Sequence, residues 1–116
     1  GDQPSVAVVS LEPSMGPDDF RAKVEEAVAS FEAPEQVLFL VDLWGGTPFN
    51  QISGLIEGHD SWAIVTGVNL PMLLKVFTCR EKPLAELAKL AGEAGTKGIV
   101  VAGSMLRSRN KEKTGD

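Results

Sequence analysis

Apolar positions in this chain alternate between short uninterrupted runs and stripes at helical spacing. Ser5 to Leu11, SVAVVSL, is a β-branched run after Pro4 and predicts a strand. Phe20, Val24, Ala27, Val28 and Phe31 then form one face of an amphipathic helix that starts at Pro17 and is closed by Pro34. Asp18 and Asp19 fall in its first turn, where the helix dipole favours negative charge. Val37 to Val41 is an apolar run short enough to be a buried parallel strand, with Asp42 where that strand ends. Phe49, Ile52, Leu55 and Ile56 place a stripe on a helix from about Pro48 to Glu57, with Gly58 as its stop. Trp62 to Val68 predicts the next strand, and Pro71 opens a helix through PMLLKVF. Leu84, Leu87, Ala88, Leu90 and Ala91 mark another helix, broken by Gly92 and Gly95. Gly98 to Gly103, GIVVAG, predicts a last short strand. The alternation βαβαβααβ predicts an α/β domain with a doubly wound, mainly parallel sheet and helices on both faces.

The stretch from Val37 to Asn50, VLFLVDLWGGTPFN, carries the candidate chemistry. Open α/β sheets bind ligands outside the C-terminal ends of their strands, where Asp42 stands. Gly45 and Gly46 allow a sharp turn and close approach of the backbone to a ligand, and Thr47 before Pro48 reads as an N-cap with proline at the first helical position. Backbone N–H groups at that helix start, the Thr47 hydroxyl and the dipole suit an anion such as phosphate. Any βα unit needs a turn and a cap, and GG before Thr meets that need with no ligand. Asp42 does not fit so plain a reading, because a turn needs no carboxylate closing a wholly apolar strand, where burial is costly unless a donor or cation meets it. Asn69, Leu70 and Pro71 follow the next strand at the same end of the sheet. The spacings GxGxxG and GxxxxGK[ST] are both absent, and no metal-binding cluster, cofactor fingerprint or evident nucleophile accompanies these residues.

Composition sets bounds on this picture. At 116 residues, with 43% hydrophobic and 23% charged, the chain has the size and composition of one globular domain. No apolar run approaches the roughly 20 residues that span a bilayer and no charged-then-apolar leader opens the chain, so a soluble, intracellular protein is expected. The single cysteine, Cys79, has no internal disulfide partner and reads as a small packing residue. The net charge of −5 is unevenly spread. The last ten residues, RSRNKEKTGD, hold four basic and two acidic side chains, leaving residues 1–106 with seven basic and fourteen acidic, a net of −7. An acidic body argues against nucleic acid as a partner. The tail, residues 107–116, reads as a disordered end or a linker.

VLFLVDLWGGTPFN and TGVNLPMLL, spaced as they are here, strongly resemble the enzyme IIA domain of the mannose family of the bacterial phosphoenolpyruvate-dependent sugar phosphotransferase system. MGPDDF after the first strand and the opening GDQ match the same pattern, and the resemblance runs from Gly1 to about Met105, giving a IIA domain over 1–106. It implies a doubly wound α/β domain, a homodimer that exchanges a C-terminal edge strand between subunits, and a cytoplasmic location with association to the inner face of the membrane through the sugar permease. It also implies a phosphotransferase that accepts a phosphoryl group from HPr on a histidine and passes it to a IIB domain during sugar uptake, with no cofactor and no metal. Carried over residue by residue, Asp42 matches the aspartate that orients the active imidazole, and a carboxylate accepting one ring N–H does leave the other nitrogen as nucleophile. Thr47 matches the hydroxyl that donates to the phosphoryl oxygens beside Gly46, while Trp44 and Asn69 to Pro71 match pocket-wall and partner-facing positions.

The family's histidine lies after a strand that precedes the segment matched by Gly1 to Gln3, so the first strand, the histidine and the first helix are expected to be absent from this sequence and the chain alone inactive. His59, the sole histidine, sits in a polar turn, EGHD, expected at the opposite end of the sheet from Asp42, and is rejected as acceptor. The missing strand is expected between Ser5–Leu11 and Val37–Leu43. Truncation, completion by a separate N-terminal piece, and occupation of the gap by GIVVAG are the three readings of that gap. Two other functions stand beside the phosphocarrier: the related phosphoryl-transfer subunit of dihydroxyacetone kinase, and a regulatory or dimerisation module of the IIA-like kind found inside transcriptional activators.

Overall fold

The computed structural model describes residues 3–12, 15–31, 35–43, 54, 57–103 and 106–109. In chain order these form β1 (Ser5–Leu11), α1 (Pro17–Ala29), β2 (Val37–Leu43), β3 (Trp62–Thr66), α2 (Leu70–Thr78) and α3 (Leu84–Lys97). The three strands make one parallel sheet in the order β1-β2-β3, with Ser5 opposite Val37 and Val37 opposite Trp62. The crossover helix α1 packs on one face and α2 and α3, which follow β3, pack on the other, so helices lie on both faces as the alternation predicts.

Side-chain alternation divides the core into two layers. Ala7, Val9 and Leu11 of β1 and Val37, Phe39 and Val41 of β2 pack with Phe20 and Val24 of α1. Leu38 and Leu40 of β2 face the other way, against Met72 and Val76 of α2 and Leu84, Leu87 and Ala91 of α3. Because β2 is buried on both sides, its residues form a continuous apolar run instead of an alternating one. At roughly 1.5–3 kcal/mol for each large apolar side chain removed from water, this strand anchors the fold.

Four expectations are corrected. No strand separates Ser5–Leu11 from Val37–Leu43: β1 and β2 pair directly over all seven positions, so each satisfies the backbone groups of the other. GIVVAG is not a strand. Gly98 caps α3 in the right-handed helical region, 99–101 have no regular structure, and Ala102 and Gly103 are helical. The β-branched residues there have the propensity for a strand but pair with no strand among the described residues. Gly92 and Gly95 do not break α3, which runs through both. A Cβ at Gly95 would meet Met72 Cε at 2.8 Å, so the missing side chain serves the close approach of α3 to α2. The third strand ends at Thr66, two residues early, because Gly67 turns the chain away with φ at +78°.

The helix expected from Pro48 to Glu57 lies outside the described residues except for Gly54, which is helical, and Glu57, which is in a turn with Gly58. Residues 106–109, the last three of them in the tail, are helical and exposed, and 110–116 are outside the described residues.

Candidate functional site

Asp42 is half-buried near the C-terminal end of β2, and alternation puts its side chain on the α2/α3 face, in line with Leu38 and Leu40. Its Cα partner on β1 is Ser10. On the other side, the Gly67 N–H donates to the carbonyl of Val41 at 3.0 Å, which draws the turn after β3 up against the residue preceding Asp42. The strand end and the 67–71 turn therefore form one edge, as expected from sequence.

Asn69 turns this edge into a fixed corner. Its Oδ1 accepts from the Met72 N–H at 3.1 Å, capping α2, and its Nδ2 donates to the carbonyl of Gly95 in α3 at 3.0 Å. Both polar ends of the carboxamide are thus committed to holding α2 and α3. A cavity of about 180 Å³ opens here between Thr66, Gly67, Asn69, Gly95, Thr96 and Ile99. Pro71 lies against Gly98, while Leu70 projects into solvent at 66% exposure. Trp44, Gly45, Gly46, Thr47 and Pro48 lie outside the described residues.

The face of the sheet beside Asp42 is only partly covered. Val6 packs against the α2/α3 layer, but Val8 is 53% exposed and Ser10 is exposed, so the C-terminal half of β1 is open next to Asp42. At the rim of this opening Lys23 of α1 donates from Nζ to the Ser10 carbonyl at 2.7 Å, placing a cation on the strand paired with the one bearing Asp42. Sequence reasoning did not single out Lys23. Its position on the polar side of an amphipathic helix carries no local sign that it reaches a strand end.

His59 is at the other end of the sheet. Its ring stacks on Trp62, the first residue of β3, with centroids 3.7 Å apart and an interplanar angle of 5°. Trp62 in turn meets Phe39 edge-on at 5.1 Å. Trp62 is opposite Val37, five residues before Asp42, so at about 3.3 Å per residue roughly 17 Å of strand separates the two ends. Among the described residues no group of three or more His, Cys, Asp or Glu side chains is placed to hold a metal ion, and no helix is long and apolar enough to cross a membrane.

A family model described as "PTS system fructose IIA component" matches residues 1–91. The "PTS system mannose-specific EIIAB component" of Escherichia coli K12 is 33% identical over 101 residues, covering 85% of this chain and 31% of that protein. The "PTS system fructose-specific EIIA component" of Bacillus subtilis is 33% identical over 81 residues, covering 70% of this chain and 56% of that one. This chain thus spans about a third to a half of the length of these relatives. The crystal structure of a phosphotransferase system component EIIA from Streptococcus agalactiae has the same fold, with a TM-score of 0.67, 21% identity, and coverage of 86% of this chain and 98% of that one.

Proposed function

This chain belongs to the PTS fructose/mannose EIIA family, and from that premise we propose that it is a phosphocarrier domain that relays a phosphoryl group from HPr to a IIB domain during sugar uptake. The observation that carries this reading is the half-buried Asp42 at the C-terminal edge of the sheet, flanked by the Gly67 turn and by the uncovered stretch of β1. The acceptor is a histidine outside these 116 residues, carried by a segment that packs on the open face at Val8 and Ser10. There Asp42 accepts one imidazole N–H and leaves the other nitrogen to attack phosphorus. The phosphoryl group moves in line from the phosphohistidine of HPr to this nitrogen, the P–N bond to the donor breaking as the new one forms. The domain's share of the work is positioning and dispersal of charge by Thr47 and the N–H groups near Gly46, with Trp44, Gly45, Pro48, Leu70 and Pro71 shaping the approach. Asn69 supports the corner. This work takes place in the cytoplasm, at the permease.

The homodimer belongs to the same reading. Ile99, Val100 and Val101 are 74, 55 and 70% exposed and pair with no strand among the described residues, which supports exchange of this segment onto the edge of a second subunit's sheet. The test of the site is Asp42→Asn in a version extended by the family's first strand, histidine and helix. The fold is retained and transfer from HPr slows, because an amide neither stabilises an imidazolium nor holds the same tautomer. An unchanged rate would remove Asp42 from the mechanism.

A further inference from the structure

A second cavity, of about 360 Å³, lies beside Trp62, at the end of the sheet away from Asp42. Its aromatic wall follows from the turn before β3. Gly58 turns the chain with φ at +83°, and the Trp62 N–H donates to the His59 carbonyl at 3.1 Å. The His59 ring lies flat on the Trp62 indole, with centroids 3.7 Å apart, and Phe39 meets the same indole edge-on from the core. The indole is held between these two rings, while His59 is exposed and the imidazole face turned from Trp62 is open. Polar groups come from two elements. α1 brings Arg21 and Glu25, one helical turn apart, with the buried Val24 beside them, and Glu57 enters from the turn.

We propose that this cavity binds a free basic amino acid, with arginine the best fit. The lining carries one positive and two negative side chains, and such an amino acid carries the reverse, one carboxylate and two cations. Its α-carboxylate pairs with the Arg21 guanidinium, its α-ammonium with Glu25, and its side-chain cation with Glu57. The planar guanidinium of an arginine ligand also stacks on the open imidazole face, which a lysine ammonium does less well. Simpler ligands leave charge unmatched. An anion paired with Arg21 has two carboxylates beside it, and a lone cation paired with a carboxylate has the guanidinium beside it. The size agrees, since 360 Å³ is near the lower end of the roughly 300–1,000 Å³ of small-ligand pockets. A ligand at this end of the sheet leaves the edge at Asp42 uncovered, so the inference is independent of the phosphoryl-transfer reading.

His59 is the only histidine of the chain and gives the test a unique reporter. Its ring protons are followed by NMR at fixed pH as L-arginine is added to the full chain. The expected result is a saturable shift with a dissociation constant on the order of 1 mM, as for a ligand of this size on an open site. Agmatine, which lacks the carboxylate, and Nα-acetylarginine, which lacks the ammonium, bind about tenfold more weakly or worse. Arg21→Ala/Glu25→Ala weakens arginine at least as much with an unchanged circular dichroism spectrum, because both positions are exposed on α1 and alanine favours the helix. Glu57→Gln, on a separate element, weakens it too. No saturation by arginine up to about 100 mM, a hundredfold above the expected constant, overturns the proposal. So does binding that agmatine or Nα-acetylarginine matches, or that these variants leave unchanged. Saturation by methyl α-glucopyranoside or inorganic phosphate in place of arginine overturns the ligand class.

Discussion

The Asn69 carboxamide reaches the Gly95 carbonyl at 3.0 Å across 26 residues of sequence and fixes the helix that leaves β3 to the last helix of the sheet layer. The same side chain caps α2 through Met72. One residue therefore sets both the start and the tilt of the helix that forms one wall of the candidate site.

Asn69→Ala and Asn69→Asp separate these roles. Alanine loses the cap and the cross-helix bond and costs about 2–3 kcal/mol, counting about 1 for the cap and the rest for a part-buried carbonyl left unpaired. Aspartate retains the capping oxygen and loses the donor to Gly95. Its urea midpoint falls between those of the parent and the alanine variant. Equal midpoints for the two variants would show that the capping oxygen contributes nothing, and an aspartate variant as stable as the parent would show the same of the bond to Gly95.

Three glycines near this junction give an ordered series. Gly92 lies in α3 with open space where a Cβ would go, so Gly92→Ala stabilises by about 0.5–1 kcal/mol through helix propensity. Gly95→Ala gains the same propensity but presses on the flexible end of Met72 at 2.8 Å, and comes out near neutral or mildly destabilising. Gly98→Ala meets the rigid Pro71 ring at 2.3 and 2.6 Å and is the most destabilising, by about 1–3 kcal/mol. Thermal unfolding of the three variants checks the order, and a Gly98→Ala protein as stable as the parent would contradict the packing described.

The same junction shows where local sequence stops being informative. SVAVVSL and VLFLVDL became strands as their runs predict, because each has a neighbour to pair with and a helix layer to bury against. GIVVAG has β-branched character and is not a strand, since a strand depends on docking against a partner and not on propensity alone. Gly92 and Gly95 read as breakers because propensity counts their backbone entropy and cannot count the Met72 side chain that needs the room. Likewise the direct pairing of β1 with β2 is a nonlocal fact that neither run contains. At the site, Asp42 and the turn at Asn69 were legible as strand-end chemistry and do share an edge. The commitment of Asn69 to Met72 and Gly95, and the reach of Lys23 to Ser10, depend on helix placement and left no mark on residue spacing.

Thr47 is assigned a donor role at the phosphoryl group. In the extended version carrying the histidine, Thr47→Val slows transfer from HPr by an amount equivalent to about 2–4 kcal/mol, as for loss of one oxyanion-type donor, while Thr47→Ser retains most of the rate. Stopped-flow or quench-flow transfer rates check this. Equal rates for valine and serine would place the hydroxyl outside the reaction.

The central claim is that these residues form a phosphoryl-transfer pocket whose acceptor histidine is not His59, which is stacked on Trp62 at the far end of the sheet. The most direct measurement is intact mass after incubation with phosphoenolpyruvate, enzyme I and HPr, with and without an added peptide bearing the family's first strand, histidine and helix. The account predicts no stable gain of a phosphoryl group on this chain alone and a gain on the peptide when the two associate, since packing on the open face at Val8 recovers apolar burial. Phosphate on His59 without the peptide would contradict it.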